Sequence, residues 1–286
     1  MKLAQLRQQY HSQICSEIIR ITKDKANEYP NFADGTNRGS VSIAQSITRQ
    51  FGCPPNFQTL KGQVVGNRFE EITRDFLAHA FNAIHHLRPG RWLYKTEQTA
   101  ISGFDQYEHL AYLNSVIGED KSLAAALGGD YIVKPDIVIG RYPVSEEEIN
   151  AEDEIVSSEN QVANLSPLRL SNQPNPRPIL HASISCKWTI RSDRSQNTRT
   201  EALNLIRNRK GKLPHIVAVT AEPLPTRIAA LALGTGDLDC VYHFALYELQ
   251  RALKETGNED QQDMLNILLE GRRLRDISDL PFDLAT

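Results

Sequence analysis

One stretch, residues 179–222, constrains the fold more than any other part of the chain. In Leu180–Trp188 apolar and polar residues alternate, so Ser185 and Lys187 lie side by side on the polar face of a predicted strand. A short charged segment and a segment with helical spacing follow. Residues 214–220 are then almost continuously apolar, as in a strand buried on both faces. We therefore predict a strand, a loop, a helix and a second strand at the centre of an α/β fold.

The rest of the chain predicts further helices and strands around one central sheet in a single domain of residues 1–286. Residues 141–178 form an irregular acidic insertion in it. The predicted helices cover residues 1–29, 41–51, 68–87, 105–127, 245–256 and 260–270, with a short one after 222–230. The predicted strands cover residues 91–101, 130–140 and 239–244. We expect residues 57–67 to be a loop, and the tail from residue 276 to be only partly ordered.

Composition excludes several classes of protein. With 286 residues, of which 40% are hydrophobic and 23% charged, the chain has an ordinary globular composition. No apolar run approaches the ~20 residues that span a bilayer, and the N-terminus is too polar for a secretory signal. The four cysteines form no CxxC pair, which indicates neither a zinc site nor a disulfide framework. We expect a reduced, cytoplasmic protein without membrane association.

The distribution of charge is more informative than the net charge of −3. Residues 187–212 carry eight Lys or Arg against Asp193 and Glu201. Residues 146–159 instead carry seven acidic side chains and no basic one, as in a solvated loop. The basic excess lies where the central unit places its candidate site, which favours a polyanionic substrate.

Three residues, two of them in the stretch 179–222, suit metal-assisted phosphodiester hydrolysis. Divalent metals neutralise the charge that develops on the phosphate and lower the pKa of bound water, and Mg²⁺ prefers carboxylate oxygens. Asp136, on the strand predicted over residues 130–140, and Glu201, on the helix after the central strand, suit the ligand role. Lys187 suits a neighbour that stabilises the negative charge of the phosphate. The separations leave enough chain for Asp136 and Lys187 to lie on neighbouring strands.

Each of these residues also has a purely structural interpretation. Asp136 follows a proline and suits a turn at the end of a strand, and Lys187 suits an exposed position on a sheet. Thr198 and Glu201 have the spacing of a capping box, in which Glu201 would bond only to backbone N–H groups.

A charged segment between the strand and the helix suits recognition of G·C pairs. Arg presents a planar fork to guanine O6 and N7, and Asp accepts from cytosine N4. Arg191, Asp193 and Arg194 therefore can contact adjacent bases in a major groove. The alternative is a solvated turn with an internal ion pair, which contributes at most about 1 kcal/mol.

Several segments of the chain resemble the type II restriction endonucleases of the NgoMIV family, in the PD-(D/E)XK nuclease superfamily. The similarity covers nearly the whole chain and is most specific in residues 183–223. The other similar segments are KPD at 134–136, ADGTN at 33–37, GNRFE at 66–70, ALGTG at 232–236, CVYHFALYEL at 240–249 and DISDLPFDLA at 276–285.

The resemblance implies a restriction-endonuclease-like α/β fold, with a central mixed β-sheet flanked by helices. It further implies Mg²⁺-dependent cleavage of double-stranded DNA with two ions per site, recognition of GCCGGC, and a cut after the first G that leaves a 5′ CCGG overhang. Members of this family act as homotetramers, and a DNA methyltransferase completes the restriction–modification system.

The resemblance also assigns roles to individual residues. Asp136, Lys187, Glu201, Ser185 and Glu70 match the catalytic group, in which Asp136 and Glu201 are the metal ligands. Because Glu71 follows Glu70, the sequence leaves open which of the two faces the site. The residues that match the DNA-binding group are Arg191, Asp193 and Arg194 for the central CCGG, Asp34 and Arg227 for the outer pairs, and Gln63 for the minor groove.

Two other functions fit the same pattern. A structure-specific repair or recombination nuclease of this fold would cut at nicks, ends or junctions without sequence preference. A catalytically inactive DNA-binding protein would bind DNA specifically and would not cleave it with any divalent metal.

Overall fold

The computed structural model describes residues 2–24, 27–96, 99–119, 133–157, 159–172, 174–190, 192–234 and 236–286. Strands β1 to β8 are, in chain order, Ile21–Asp24, Asn27–Pro30, Trp92–Lys95, Ile137–Arg141, Ile179–Lys187, His215–Thr220, Cys240–His243 and Leu274–Asp276. Helices α1 to α10 are Leu3–Glu17, Arg38–Phe51, Gly62–Ala83, His109–Glu119, Glu146–Ile149, Ser192–Asn208, Pro225–Ala232, Leu246–Thr256, Glu259–Glu270 and Leu280–Asp283. Short 3₁₀ turns lie at His85–Leu87, Ile101–Gly103, Asp105–Tyr107 and Leu170–Asn172.

A mixed sheet of six strands, in the order β3-β4-β5-β6-β7-β8, forms the centre of the described structure. Strand β4 pairs antiparallel with β3 and β5, whereas β5 to β8 run parallel to one another. In the β4–β5 register Ile137 lies opposite Ile184, so the residue before Ile137 lies beside Ser185. This register brings Asp136 to the end of β5 that carries Lys187. The predicted strand–helix–strand unit and the central mixed sheet are confirmed.

Both faces of β5 are covered. Every residue from Leu180 to Cys186 is buried, including the polar His181, Ser183 and Ser185. His181 makes a hydrogen bond of 2.8 Å to the carbonyl of Leu284, the residue that follows the C-terminal helix. The alternation therefore predicted the strand correctly, while the cover over its polar face comes from elements distant in sequence.

A cluster of aromatic rings holds the C-terminal end of β5. Trp188 makes edge contacts with Phe32, Phe69 and Phe244, at ring-centroid distances of 5.6, 5.1 and 5.9 Å. These rings come from the loop after β2, from α3 and from the end of β7. Because edge-on aromatic packing is directional, the cluster fixes where the chain leaves the sheet beyond Lys187.

The prediction of a single helix over residues 1–29 is wrong beyond residue 17. The helix ends at Glu17, and β1 and β2 follow as an antiparallel hairpin. Asn31 closes this unit, because its side chain donates to the carbonyl of Ile18 at 3.0 Å and accepts from the N–H of Arg20 at 3.3 Å. Such cross-chain hydrogen bonds have no counterpart in helical periodicity, which is a local signal.

The expectation of fully reduced cysteines is also wrong. Cys15, on α1, and Cys53 are joined by a disulfide with a Cα–Cα distance of 5.3 Å. Gly52 ends α2 in a left-handed conformation with φ of 68°, which turns the chain toward Cys15. Cys186 and Cys240 are free and buried. The pairing depends on the packing of α1 beside α2, so cysteine spacing could not reveal it.

Two further boundaries differ from the predictions. Helix α3 begins at Gly62 rather than at residue 68, because Val65, Phe69 and Ile72 continue one buried stripe through the region predicted as loop. The tail is ordered: β8 pairs with β7, and Asp276 is fully buried. In both cases tertiary burial outweighs weak local propensity.

The remaining predicted elements are confirmed with shifted ends. Residues 120–132, which include parts of a predicted helix and a predicted strand, lie outside the described residues. Most of the 141–178 insertion is irregular, apart from α5 and the 3₁₀ turn, and most of its acidic side chains are at least partly exposed. No helix in the described part of the chain is both long enough and apolar enough to cross a membrane.

Candidate active site

Asp136 and Lys187 form the centre of the candidate site. The ammonium of Lys187 donates to Oδ2 of Asp136 at 2.9 Å, and the backbone N–H of Cys186 donates to the same oxygen at 2.7 Å. The hydroxyl of Ser185 approaches this oxygen at 3.4 Å. Burial by itself lowers the pKa of Lys187, but the charge and hydrogen bond of Asp136 outweigh it, so the pKa is raised and the lysine stays charged.

Two further carboxylates line the same cavity, which has a volume of about 610 Å³. Burial, reinforced by the charge of Asp136, raises the pKa of Glu70 to about 7. Burial also raises the pKa of Glu201, with Lys187 opposing the shift and Asp136 adding to it. Desolvated carboxylates that repel one another disfavour their own ionisation. A bound cation or a proton would therefore relieve the repulsion among these carboxylates.

The structure shows which of the two consecutive glutamates faces the cavity. Glu70 lines it, whereas Glu71 forms an ion pair with Arg68 on the adjacent side of α3. Successive residues of a helix point about 100° apart, so only one of the two can face the site.

The donor set fits a divalent cation. Asp136, Glu70 and Glu201 offer hard oxygen ligands around one cavity, and a cation would relieve the repulsion that raises the pKa values of the two glutamates. Within the described residues, no three acidic, histidine or cysteine side chains converge closely enough to hold a metal as they stand. Lys187 supplies positive charge that Asp136 contacts.

A second cavity, of about 830 Å³, carries two of the predicted DNA-binding residues. Arg227, on α7, and Asp34 form an ion pair across it. Hydrogen bonds from Thr36, and then from Arg227, lower the pKa of Asp34 to about 2. Asn31 and Thr189 line both cavities, so the Asp34–Arg227 pair and the catalytic candidates border one continuous groove. Gln63 lines the catalytic part of this groove.

The predicted base-recognition segment differs from the expected loop. Ser192 to Arg194 form the first turn of α6, so the helix begins six residues before Thr198. Serine and aspartate favour helix N-termini, which explains the earlier start. Thr198 is instead buried within the helix and approaches Ser185 at 3.4 Å between hydroxyl oxygens. Arg191, and the side chains of Asp193 and Arg194, lie outside the described residues.

Comparison with known proteins identifies the family of this chain. Residues 10–286 match the family model of the NgoMIV restriction enzyme. The chain is 46% identical over 285 residues to the Type II restriction enzyme NgoMIV of Neisseria gonorrhoeae, with 98% of each chain covered. The chain belongs to the NgoMIV restriction enzyme family.

Two solved structures show more distant similarity. Bse634I, a Type IIF restriction endonuclease crystallised with cognate DNA, is 12% identical with a TM-score of 0.38, and the match covers 84% of this chain and 97% of that one. The restriction endonuclease PspGI, in a substrate DNA complex, is 14% identical with a TM-score of 0.37 over 99% of this chain and 92% of its own.

Membership in the NgoMIV family identifies the chain as a type II restriction enzyme with the α/β restriction-endonuclease fold. Enzymes of this kind typically depend on a divalent metal. The family favours the site-specific endonuclease over the two alternatives named above.

Some groove residues of this NgoMIV family member were missed by sequence reasoning. Asn67 and Asn197 line the catalytic cavity. They precede Glu70 and Glu201 by three and four positions on the same helices, a spacing that places both members of each pair on one helix face. Both asparagines lie just before the predicted starts of these helices, so helical spacing identifies them only with the earlier starts that the structure shows. Asn31 lies between the cavities only because of the hairpin, for which the sequence offered no signal.

Proposed function

We propose that this protein hydrolyses phosphodiester bonds of double-stranded DNA at GCCGGC, cutting after the first G to leave a 5′ CCGG overhang. The observation that supports this most directly is the single groove. It contains the Asp136–Lys187 pair and two carboxylates of raised pKa at one end, and the Asp34–Arg227 pair at the other. This arrangement supports a hydrolytic centre and a base-recognition pair that act on one stretch of DNA.

In this proposal Asp136 and Glu201 hold Mg²⁺, two ions per site, and Glu70 is a further acidic group beside them. When bound, the metal neutralises charge on the phosphate and lowers the pKa of water. Lys187 positions Asp136 through its hydrogen bond and directs an ammonium at the cavity, where it stabilises the scissile phosphate. Ser185 stands between Asp136 and Thr198 and fixes the carboxylate from behind.

Base recognition in this proposal is divided among three groups of residues. Arg191, Asp193 and Arg194 contact the central CCGG, and Gln63 contacts the minor groove. Asp34 and Arg227 contact the outer pairs. Their mutual ion pair supports this role, because a carboxylate beside a guanidinium matches the cytosine N4 donor beside the guanine O6 and N7 acceptors.

We further propose that residues 1–286 act as one domain, that the enzyme is a cytoplasmic homotetramer holding two DNA sites, and that a DNA methyltransferase protects the host sequence. None of these proposals alters the chemistry of a single site.

One digestion tests the proposed function. A plasmid with a single GCCGGC site and one with two sites are incubated with the protein and Mg²⁺, and the ends are sequenced. We expect cleavage only at G/CCGGC, abolished by EDTA and faster on the two-site plasmid. Cleavage at nicks or ends without sequence preference would favour the repair nuclease, and specific binding without cleavage in any divalent metal would favour the inactive binding protein. Equal cleavage rates on both plasmids would contradict the proposed tetramer but not the proposed cleavage reaction.

A further inference from the structure

Glu222 is a buried carboxylate that the catalytic and DNA-binding assignments leave unexplained. Its side chain is 1% exposed and lies two residues beyond the end of β6. Oε2 accepts the backbone N–H of Ile190 at 2.9 Å, and Oε1 accepts that of Leu224 at 3.3 Å. Removing a carboxylate from water is unfavourable unless hydrogen bonds and a nearby cation compensate, so the partners of a buried carboxylate show which groups it holds in place.

The two backbone donors directly precede the two segments proposed to recognise bases. Ile190 directly precedes Arg191 and the helix that begins at Ser192. Leu224 is the residue before α7, the helix that carries Arg227. One carboxylate therefore joins the chain leaving β5 to the start of α7.

The same residue is also tied to the catalytic strand. The N–H of Glu222 donates to the hydroxyl of Thr220 at 3.1 Å, and that hydroxyl donates to the carbonyl of Lys187 at 2.8 Å. Glu222 thus links the catalytic strand, the residue before the central recognition segment and the residue before α7.

Arg227 lies between two carboxylates. It is paired with Asp34 on one side, and its Nη1 lies 3.9 Å from Oε1 of Glu222 on the other. If Asp34 turned to a cytosine, Arg227 would still have Glu222 beside it, which limits the directions in which its guanidinium can point. Because Glu222 is itself held by two backbone N–H groups, it provides a fixed anchor for this arginine.

We propose that Glu222 is a positioning residue for recognition of the outer base pair, acting through Arg227. This inference rests on the proposed function, since it presupposes that Arg227 contacts DNA. Asp34 and Arg227 then contact the base pair, and Glu222 holds the arginine in position.

The protonation of Glu222 provides a readout that a purely structural residue would not. Burial raises the pKa of its carboxyl to about 7, although the N–H of Ile190, Arg227 and the N–H of Leu224 oppose the shift and Asp34 adds to it. The titratable groups facing it are Arg227, Asp34 and His243, whose ring lies 3.2 Å from the Glu222 carbonyl. The pKa of Asp34 is about 2, and burial lowers that of His243 to about 4. Neither therefore titrates between pH 6 and 8, the range in which Glu222 loses its proton.

The test compares kcat/KM on duplexes containing GCCGGC and ACCGGT, which differ only in the outer pair. Wild-type protein, Glu222→Gln, Arg227→Ala and the double variant are measured with Mg²⁺. The specificity ratio is kcat/KM on GCCGGC divided by kcat/KM on ACCGGT. We expect Glu222→Gln to lower this ratio about tenfold in the wild-type background. In the Arg227→Ala background the same substitution should lower it less than twofold. The matched control is Glu248→Gln, a second buried glutamate that contacts Arg7 and Arg251 away from the groove; it should leave the ratio unchanged.

The second measurement needs no variant. The wild-type ratio should rise from pH 6 to 8, as Glu222 ionises, and rate effects of the catalytic carboxylates cancel because both duplexes share them. A wild-type ratio well above one that stays flat with pH and is unchanged in Glu222→Gln would overturn the inference while leaving the proposed function intact. If Glu222→Gln lowered the ratio equally in the wild-type and Arg227→Ala backgrounds, the inference would also be overturned. A wild-type ratio of one would overturn the proposed recognition sequence, and the inference with it.

Discussion

Lys187 Nζ lies 2.9 Å from Asp136 Oδ2, although the two residues are 51 positions apart in the chain. The antiparallel pairing of β4 with β5 accounts for this proximity, because it places the start of one strand beside the end of the other. The backbone N–H of Cys186 reinforces the contact from the same strand. The central pair of the candidate site is therefore a product of strand register.

Replacing Lys187 by alanine should abolish cleavage while largely preserving DNA binding. The variant loses the ammonium that stabilises the phosphate, and a lost charge-stabilising donor costs roughly 100-fold or more in rate. Cleavage with Mg²⁺ and gel-shift binding without metal measure the two effects separately. Lys210→Ala, at an exposed lysine beyond α6, is the matched control and should cleave normally. Full activity in Lys187→Ala would refute the catalytic assignment.

The consecutive glutamates of α3 make a paired experiment. Glu70→Gln should slow cleavage by at least tenfold, because it removes a negative charge from the catalytic cavity. Glu71→Gln should change the rate less than twofold, since Glu71 pairs with Arg68 instead. Single-turnover rates at saturating Mg²⁺ test both variants. If Glu71→Gln were the slower enzyme, the orientation of α3 at the site would be wrong.

The Cys15–Cys53 disulfide should make stability depend on redox conditions. The bridge joins residues with a sequence separation of 38. It restricts the unfolded chain, so losing it should lower the free energy of unfolding by roughly 2–4 kcal/mol. Cys53→Ser should therefore unfold at lower urea concentration than wild type. Dithiothreitol should destabilise wild type and leave the variant unaffected. Thiol titration of the denatured, unreduced protein should find two reactive cysteines, and four would contradict the bridge.

Acid should destabilise the protein through the buried Arg7–Glu248–Asp276 network. Burial by itself raises the pKa of Glu248, but Arg7 outweighs burial and lowers it from 4.5 to about 2. Because the folded pKa lies below the unfolded value, the stabilisation is complete above pH 4.5 and is lost as the pH falls toward 2. His11 adds to the loss at higher pH, since burial lowers its pKa from 6.5 to about 4.

Urea titrations between pH 7 and pH 3 measure this effect. The free energy of unfolding should decrease over that range, with the loss from His11 beginning below pH 6.5. Glu248→Gln should be less stable at pH 7 by roughly 3 kcal/mol, because it leaves Arg7 partly uncompensated. Below pH 4.5 its stability should depend on pH less steeply than that of wild type. Identical slopes for the two proteins would show that the network does not control acid stability.

The sequence by itself determined the central strand, helix and strand, and it singled out Asp136, Lys187 and Glu201 as chemically suited neighbours. The strand–helix–strand unit was predicted correctly because alternation and apolar runs are local properties of the sequence. The three residues could be singled out because the chemistry of a side chain is also a local property. The resemblance in sequence then supplied the family, which the comparison confirmed. The functional roles of the individual site residues stay predictions.

The tertiary structure decided what local pattern could not. It paired Cys15 with Cys53, turned Glu70 rather than Glu71 to the cavity, and placed Glu222 against Ile190, 32 positions away. It also folded the ordered tail back onto Arg7. Each of these features depends on contacts between segments far apart in the chain, whose energy appears only when the sheet and its covering helices have assembled.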